Sequence, residues 1–466
     1  MKNSKTKWSI GIIVGLLLIS TILTSCQFQN HPTISSTAST TTTPSQSDNL
    51  DESNNDTTNQ NTPATPNSNA GLYKNGTRIK TWQELLDEEV IYVINGVLTT
   101  NYSESSNKNT SASLLVGDLI IDESVTAIGD LAFAKCNQIT SINIPNTVVS
   151  VGFDVFRDCT KLKYNQYNNV NYIGNSNNPY LILVKVIDTN QTNYIIHSNT
   201  KFIGDMAFAN CYSLVNITIP NGVKEIGSLA FHSCGELKSI TVPKSVEIIG
   251  NEAFQGCSKM ETLTFAEGSN LKRIEYGAFS YCKSLKSISL PKNLKTIEDW
   301  AFAYCVELTQ IVISEGVTSI GKQSFGYCEK LSRITIPSTV TIIDDYAFCG
   351  CTKLKNVTFA TDSQLKSIGN QAFYLCKALE NVTIPSKVET IGEEAFYECT
   401  ALKSLVIGKW VKAINGYAFA YCTSLSNISY EGSKKDWGNI VLSEKWNYLT
   451  PASSINCTNG SVNLTQ

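Results

Sequence analysis

The sequence predicts a stacked solenoid: repeating strand–turn–short helix units of about 23 residues, with a parallel β-sheet along one face. The first observation behind this is a repeat of residue types. Twelve times a Phe is followed three positions later by a Cys, from Phe133 and Cys136 to Phe419 and Cys422, and eight of the eleven Phe-to-Phe intervals are 23 residues. A period of roughly 20 to 30 residues, held over many copies, marks supersecondary units that bury their apolar sides only by stacking. The second observation is the pattern inside one unit. Leu214-x-x-Ile217-x-Ile219 ends in the alternation of a half-buried strand, and Pro220 stops the ladder because it has no amide to donate. Val223, Ile226, Ala230 and Phe231 then recur mostly three or four apart, the spacing of a turn and a short helix. The third is a longer period. From Phe208 the intervals run 23, 23, 25, 23 and then repeat, so a block of 94 residues is duplicated, with matching insertions at 266–271 and 360–365.

The segments follow in order. In residues 1–25, Lys2, Lys5 and Lys7 precede an uncharged stretch from Trp8 to Ser25, the pattern of a signal peptide. Residues 26–70 are rich in Ser, Thr, Asn, Gln and Pro, and carry four acids and no Lys or Arg. They lack the apolar content to fold and are expected to be a disordered tether, spanning about 35–40 Å on average. Residues 71–125 are expected to cap the N-terminal end. Thr81-Trp82-Gln83-Glu84 has capping-box spacing, and Asn95-Gly96 joins two apolar runs as a hairpin would. Residues 126–430 hold the twelve repeats, interrupted where the Phe spacing jumps to 52 residues. The extra residues 164–199 contain three strand-like runs. They are expected to form a small inserted sheet, or alternatively an arm offering Tyr164, Tyr167, Tyr172 or Tyr180 to a ligand. Residues 431–466, with Ser433, Trp437 and Trp446, are expected to close the other end with a helix.

The units from Ile203 to Pro220 and from Ile226 to Pro243 read Ile-Gly-x-x-Ala-Phe-x-x-Cys-x-x-Leu-x-x-Ile-x-Ile/Val-Pro. This motif resembles the leucine-rich repeat, specifically the BspA-like class of bacterial surface proteins, over roughly Ile128 to Tyr430. Leu23-Thr24-Ser25-Cys26 is similar to a lipobox, which implies cleavage before Cys26 and lipid on that residue. Together the resemblances imply a lipid-anchored protein of the bacterial membrane or envelope with its solenoid facing outward. They further imply adhesion to host matrix or plasma proteins, or to neighbouring cells.

The twelve repeat cysteines occupy one position per unit, so they are expected to stack about 5 Å apart as buried thiols. Bridging them in pairs would distort an even stack. Metal binding is not expected, because no His or second clustered pair stands beside them. Cys349, next to the ladder residue Cys351, is expected to point away from the core. No phosphate loop, zinc-protease motif or nucleophile elbow is present, and the three histidines (His31, His197, His232) have no nucleophile and acid placed with them. Neither catalysis nor a cofactor is expected. The net charge of −3 leaves residues 71–466 nearly neutral, so they have no electrostatic reason to seek nucleic acid.

Function is expected on the outer side of the strands. With Ile217 and Ile219 inward, Asn216 and Thr218 point out. The same positions elsewhere are Ser239 and Thr241, Thr262 and Thr264, Ser287 and Ser289, Gln310 and Val312, Arg333 and Thr335, Asn356 and Thr358, Asn381 and Thr383, Ser404 and Val406, and Asn427 and Ser429. Arg333, Val312 and Val406 break the monotony and are the first hot-spot candidates. The bland account of this ladder is β-propensity, since Thr suits an exposed strand. The functional account is a polar platform for extracellular or cell-surface proteins or glycans. Two alternatives are an envelope scaffold that binds wall glycans or self-associates, and an exported enzyme with its site in the inserted sheet. Tyr281, Tyr304, Tyr327 and Tyr421 are expected on the opposite, helical side as half-buried packing.

Overall fold

The computed structural model describes residues 68–103 and 106–464. The expected signal peptide, Cys26 and nearly all of the expected tether therefore lie outside the described residues.

The expected strands form and stack in register. Ser239–Val242, Thr262–Phe265, Ser287–Ser289 and their successors pair in parallel, one per unit, up to Asn427–Tyr430 and Ser454–Cys457. The antiparallel strand Gly460–Asn463 ends this 11-stranded sheet. The return path differs from expectation. In place of a short helix, each unit has a two-residue strand such as Glu225–Ile226, followed by consecutive tight turns over residues 228–233. The two-residue strands stack into a second parallel sheet, part of a 14-stranded one. The physical reason lies in the backbone donors. The residues two before and two after each Phe take positive φ, as at Leu229 (57°) and Ser233 (59°), which an α-helix cannot accommodate. Their amides bond along the stack instead: Met206 N donates to Ser228 O at 2.9 Å, and Asn210 N to His232 O at 2.8 Å.

Inside, the Phe rings form one file from Phe208 to Phe419, centroids 4.9–5.6 Å apart and planes within 10°. Each such contact stabilises by about 0.5–1.5 kcal/mol beyond area burial. The Cys file runs beside it as unbridged thiols. From Cys234 to Cys422 each ladder Sγ donates to the carbonyl of the Phe one unit earlier, as Cys234 does to Phe208 at 3.2 Å and Cys422 to Phe396 at 3.2 Å. The same carbonyl already accepts the Cys amide of its own unit (Cys211 N to Phe208 O, 3.1 Å), so the thiol fills the second lone pair. Burial pushes the ladder thiols from Cys211 to Cys399 up, Cys305 to about 12, so these stay protonated.

At the N-terminal end, helix α1 (Trp82–Asp87) starts with the expected capping box, made in both directions by Thr81 and Glu84. The hairpin Ile91–Ile94/Val97–Thr100 pairs in parallel with the first repeat strand Ala127–Ile128. At the other end, helix α2 (Lys434–Trp437) begins with a second capping box, Ser433 with Asp436. Trp446 stands edge-on to Phe419 at 6.1 Å and closes the Phe file.

The inserted residues do not stand apart as a sheet of their own. Ile182–Val186 pairs in parallel with Phe202–Ile203, and Asn193–Ile195 with Asn216–Thr218, so the segment supplies a degenerate unit without the Phe turn. The antiparallel hairpin Asn165–Tyr167/Val170–Ile173 extends the same large sheet. Tyr194 meets Phe208 edge-on at 5.3 Å, where the Phe file begins. Tyr172 is fully buried and Tyr164 packs against the core, so neither is presented to solvent as an arm would require.

Candidate functional site

The strand face is built by alternation. Ile217 is buried between exposed Asn216 and Thr218, and the later strands up to Asn381–Thr383 repeat the pattern. Register then aligns these residues into two neighbouring columns. One holds Ser239, Thr262, Ser287, Gln310, Arg333, Asn356, Asn381 and Ser404, paired rung to rung. The other holds Thr241, Thr264, Ser289, Val312, Thr335, Thr358, Thr383 and Val406. Asn216 and Thr218 sit one strand earlier, and Asn427 and Ser429 continue the columns to the last repeat. Ser404 and Val406 are half-buried; the others up to Asn427 are exposed.

Strand pairing satisfies the backbone here, so recognition falls to side chains. Arg333 is the one charge in the two columns, and it donates to Gln310 Oε1 at 3.4 Å. Val312, one rung away, is 48% exposed. Sequence reasoning missed Asn193 and Ile195, which pair with Asn216 and Thr218 in a two-stranded sheet that precedes the 11-stranded one. Their unit lacks the Phe–Cys signature, so no period pointed to them. Lys286–Glu261 and Lys355–Glu380 flank the face as exposed ion pairs, a kind worth at most about 1 kcal/mol.

The turn side carries a tyrosine file. Tyr281, Tyr304 and Tyr327 stack nearly parallel at 4.6 and 4.9 Å, and Tyr374, Tyr397 and Tyr421 follow at 5.2 and 4.9 Å. Tyr281, Tyr304, Tyr327 and Tyr421 all have φ of 58–59°. A bulky residue there costs roughly 1–2 kcal/mol, and ring stacking offsets a similar amount. Because most rings cover one another's faces, the file reads as packing. Cys349 leaves the Cys column, as expected, but it is buried rather than exposed, lying against Tyr327. Burial pushes its thiol up to about 12.

Among the described residues no three His, Cys, Asp or Glu come together as a metal-binding group. Burial lowers the pKa of half-buried His232, and its charged neighbour is Glu252. Where the repeats resume after the interruption, burial raises the Asp205 and Glu225 carboxyls to about 7, and nearby Asp154 is raised too.

A family model described as "BspA type Leucine rich repeat region" matches residues 109–180, 187–305, 266–362 and 360–447. Among solved structures, the chain is similar to a leucine-rich repeat protein from Eubacterium ventriosum at 22% identity and a TM-score of 0.39, covering 80% of this chain and 96% of that one. A leucine-rich repeat protein from Bacteroides ovatus is 23% identical with a TM-score of 0.35, covering 79% and 97%. A leucine rich cell surface protein from Faecalibacterium prausnitzii is 23% identical with a TM-score of 0.33, covering 60% and 97%. No curated protein matches the chain.

Proposed function

As this chain belongs to the BspA type leucine-rich repeat family, we propose that it is a non-catalytic, adhesin-like binding protein of the bacterial cell surface. In this reading it holds extracellular proteins or glycans on the strand face, and lipid on Cys26 anchors it with residues 26–70 as tether. The observation that carries the reading is the pair of aligned columns from Ser239 to Val406, exposed over most of their length and charged only at Arg333. A face of hydroxyls and amides held by a hydrogen-bonded sheet loses little conformational freedom on binding. Arg is one of the residue types enriched in energetic hot spots, which makes Arg333 the first candidate on this face.

The test is binding of the full chain to an array of matrix proteins, plasma proteins and glycans. A variant with Gln310, Val312, Arg333 and Thr335 changed to Glu runs beside it. A partner lost by the variant supports the strand face. A partner retained moves the site elsewhere, and binding only to wall glycans or to itself favours an envelope scaffold.

A further inference from the structure

Where the repeats are interrupted, side chains escape the constraint of the stack. In the hairpin, Asn165 and Tyr167 share one face because alternate strand residues do, and Tyr172, opposite Asn165, lies on that face too. Four rings gather there. Tyr172 is edge-on to Tyr180 at 5.4 Å, Tyr180 stacks on His197 at 3.9 Å, and Tyr167 meets both edgewise at 5.8 and 4.9 Å. Tyr172 is fully buried, Tyr180 and His197 are half-buried and Tyr167 is 36% exposed, so the cluster is rooted in the core and grades out to solvent at Tyr167. The backbone fixes His197: its amide donates to the Tyr172 hydroxyl at 3.2 Å, and its Nδ1 accepts from Asn199 N at 3.2 Å.

Beside this cluster lies a cleft of about 260 Å³ lined by Asn143, Asn165, Asn175, Ser176 and Pro179, among others, and no lining residue is charged. Gly174 lets two backbone segments close on it, since a Cβ there would lie 2.0 Å from Asn178 O. Asn175 holds the loop, donating to Ile144 O at 2.7 Å and Asn146 Oδ1 at 2.9 Å while accepting from the Asn177 and Asn178 amides. Asn165 Nδ2 donates to Pro179 O at 3.0 Å, which orients that amide. Among the described residues, Asn165 Oδ1, the Asn143 side chain and the Ser176 hydroxyl make no protein hydrogen bond and stand ready for a ligand.

The chemistry selects a class. An ion would find no countercharge, and an apolar ligand would strip water from amides without replacing it, at about 1–3 kcal/mol per group. A neutral pyranose satisfies both demands, with hydroxyls for the amides and a C–H face for the neighbouring ring, and one ring fits the volume. We propose that this cleft is a binding subsite for one pyranose unit of a neutral glycan, held by Asn143 and Asn165, with the ring of Tyr167, two residues along the same strand face from Asn165, as the surface for its C–H side. The site shares no residue with the strand columns and does not depend on them.

The experiment titrates the full chain with cellotetraose, maltotetraose and N-acetylchitotetraose, with tetragalacturonate as the anionic comparison, by calorimetry. At least one neutral probe is expected to bind with Kd on the order of 1 mM or tighter. Tyr167→Ala is expected to weaken it at least tenfold, Tyr167→Phe to leave it unchanged, and the fourfold Glu variant of the strand face to leave it unchanged. If Tyr167→Ala fails to fold, the near-isosteric Asn165→Asp decides, again with at least tenfold weakening expected. No binding of any neutral probe, preference for tetragalacturonate, or binding that survives these substitutions would overturn the proposal.

Discussion

Residues 202–430 and residues 144–200 are laddered by the same backbone bonds but differ in what dictates their side chains. In the first region each core position is set by the unit above and below. The Phe file keeps 4.9–5.6 Å spacing, and each ladder thiol from Cys234 to Cys422 answers a Phe carbonyl. In the second, the file breaks. Phe156 stands 6.2 Å from Phe133, is only half-buried, and has no stacked Phe on its other side among the described residues. Acids and aromatic side chains occupy the gap. Repetition thus stabilises through near-identical contacts made many times, and interruption is where unusual chemistry can collect.

The sharpest way to break this comparison is to empty one position in each region. Phe302→Ala, in the middle of the file, is expected to cost about 3–5 kcal/mol in urea unfolding, and Phe156→Ala less than about half of that. Equal losses would mean the file is not what holds the repeats.

Gly350→Ala tests the turns. Gly350 has φ of 71°, and a Cβ would meet the Tyr327 ring at 2.7 Å, so a loss of about 1–3 kcal/mol is expected. The thiol role predicts a smaller difference. Cys305→Ser keeps a donor for Phe279 O, whereas Cys305→Ala removes the bond and leaves a small void. The Ala variant should therefore melt lower, by the equivalent of about 1 kcal/mol.

The junction adds a pH signature. The Asp205 and Glu225 carboxyls are raised by burial to about 7, above their unfolded values, so the folded state binds more protons. Their contribution is fully present below the unfolded carboxylate range and is lost as pH rises towards and through 7. Asp205→Asn should flatten the melting profile between pH 5 and 8, while Asp299→Asn, deep in the repeats, should change it less. The smallest effect is expected at the surface, where Lys286→Ala breaks an exposed pair and should shift stability by less than about 0.5 kcal/mol.

Much of this was legible because it is periodic. Phe208 to Phe419 and their cysteines announce two files, and Ile217 between Asn216 and Thr218 announces which side faces water. Thr81 and Glu84 announce their cap. The turns were not legible. Val223, Ile226, Ala230 and Phe231 have helical spacing, yet two left-handed residues and bonds to the next unit's carbonyls produce it, and those partners lie 22 residues away. Nor was the degenerate unit at 182–195, where Tyr194 meets the end of the Phe file without the flanking motif. Cys349 is covered by Tyr327 from the preceding unit, a contact its own segment could not reveal.

The most direct measurement of the central claim uses a captured protein partner and two single substitutions. The account predicts that Arg333→Glu, on the strand columns, weakens that partner at least tenfold and that Tyr167→Ala, at the junction, leaves it unchanged. The reverse pattern, or a partner indifferent to Arg333→Glu, would contradict it.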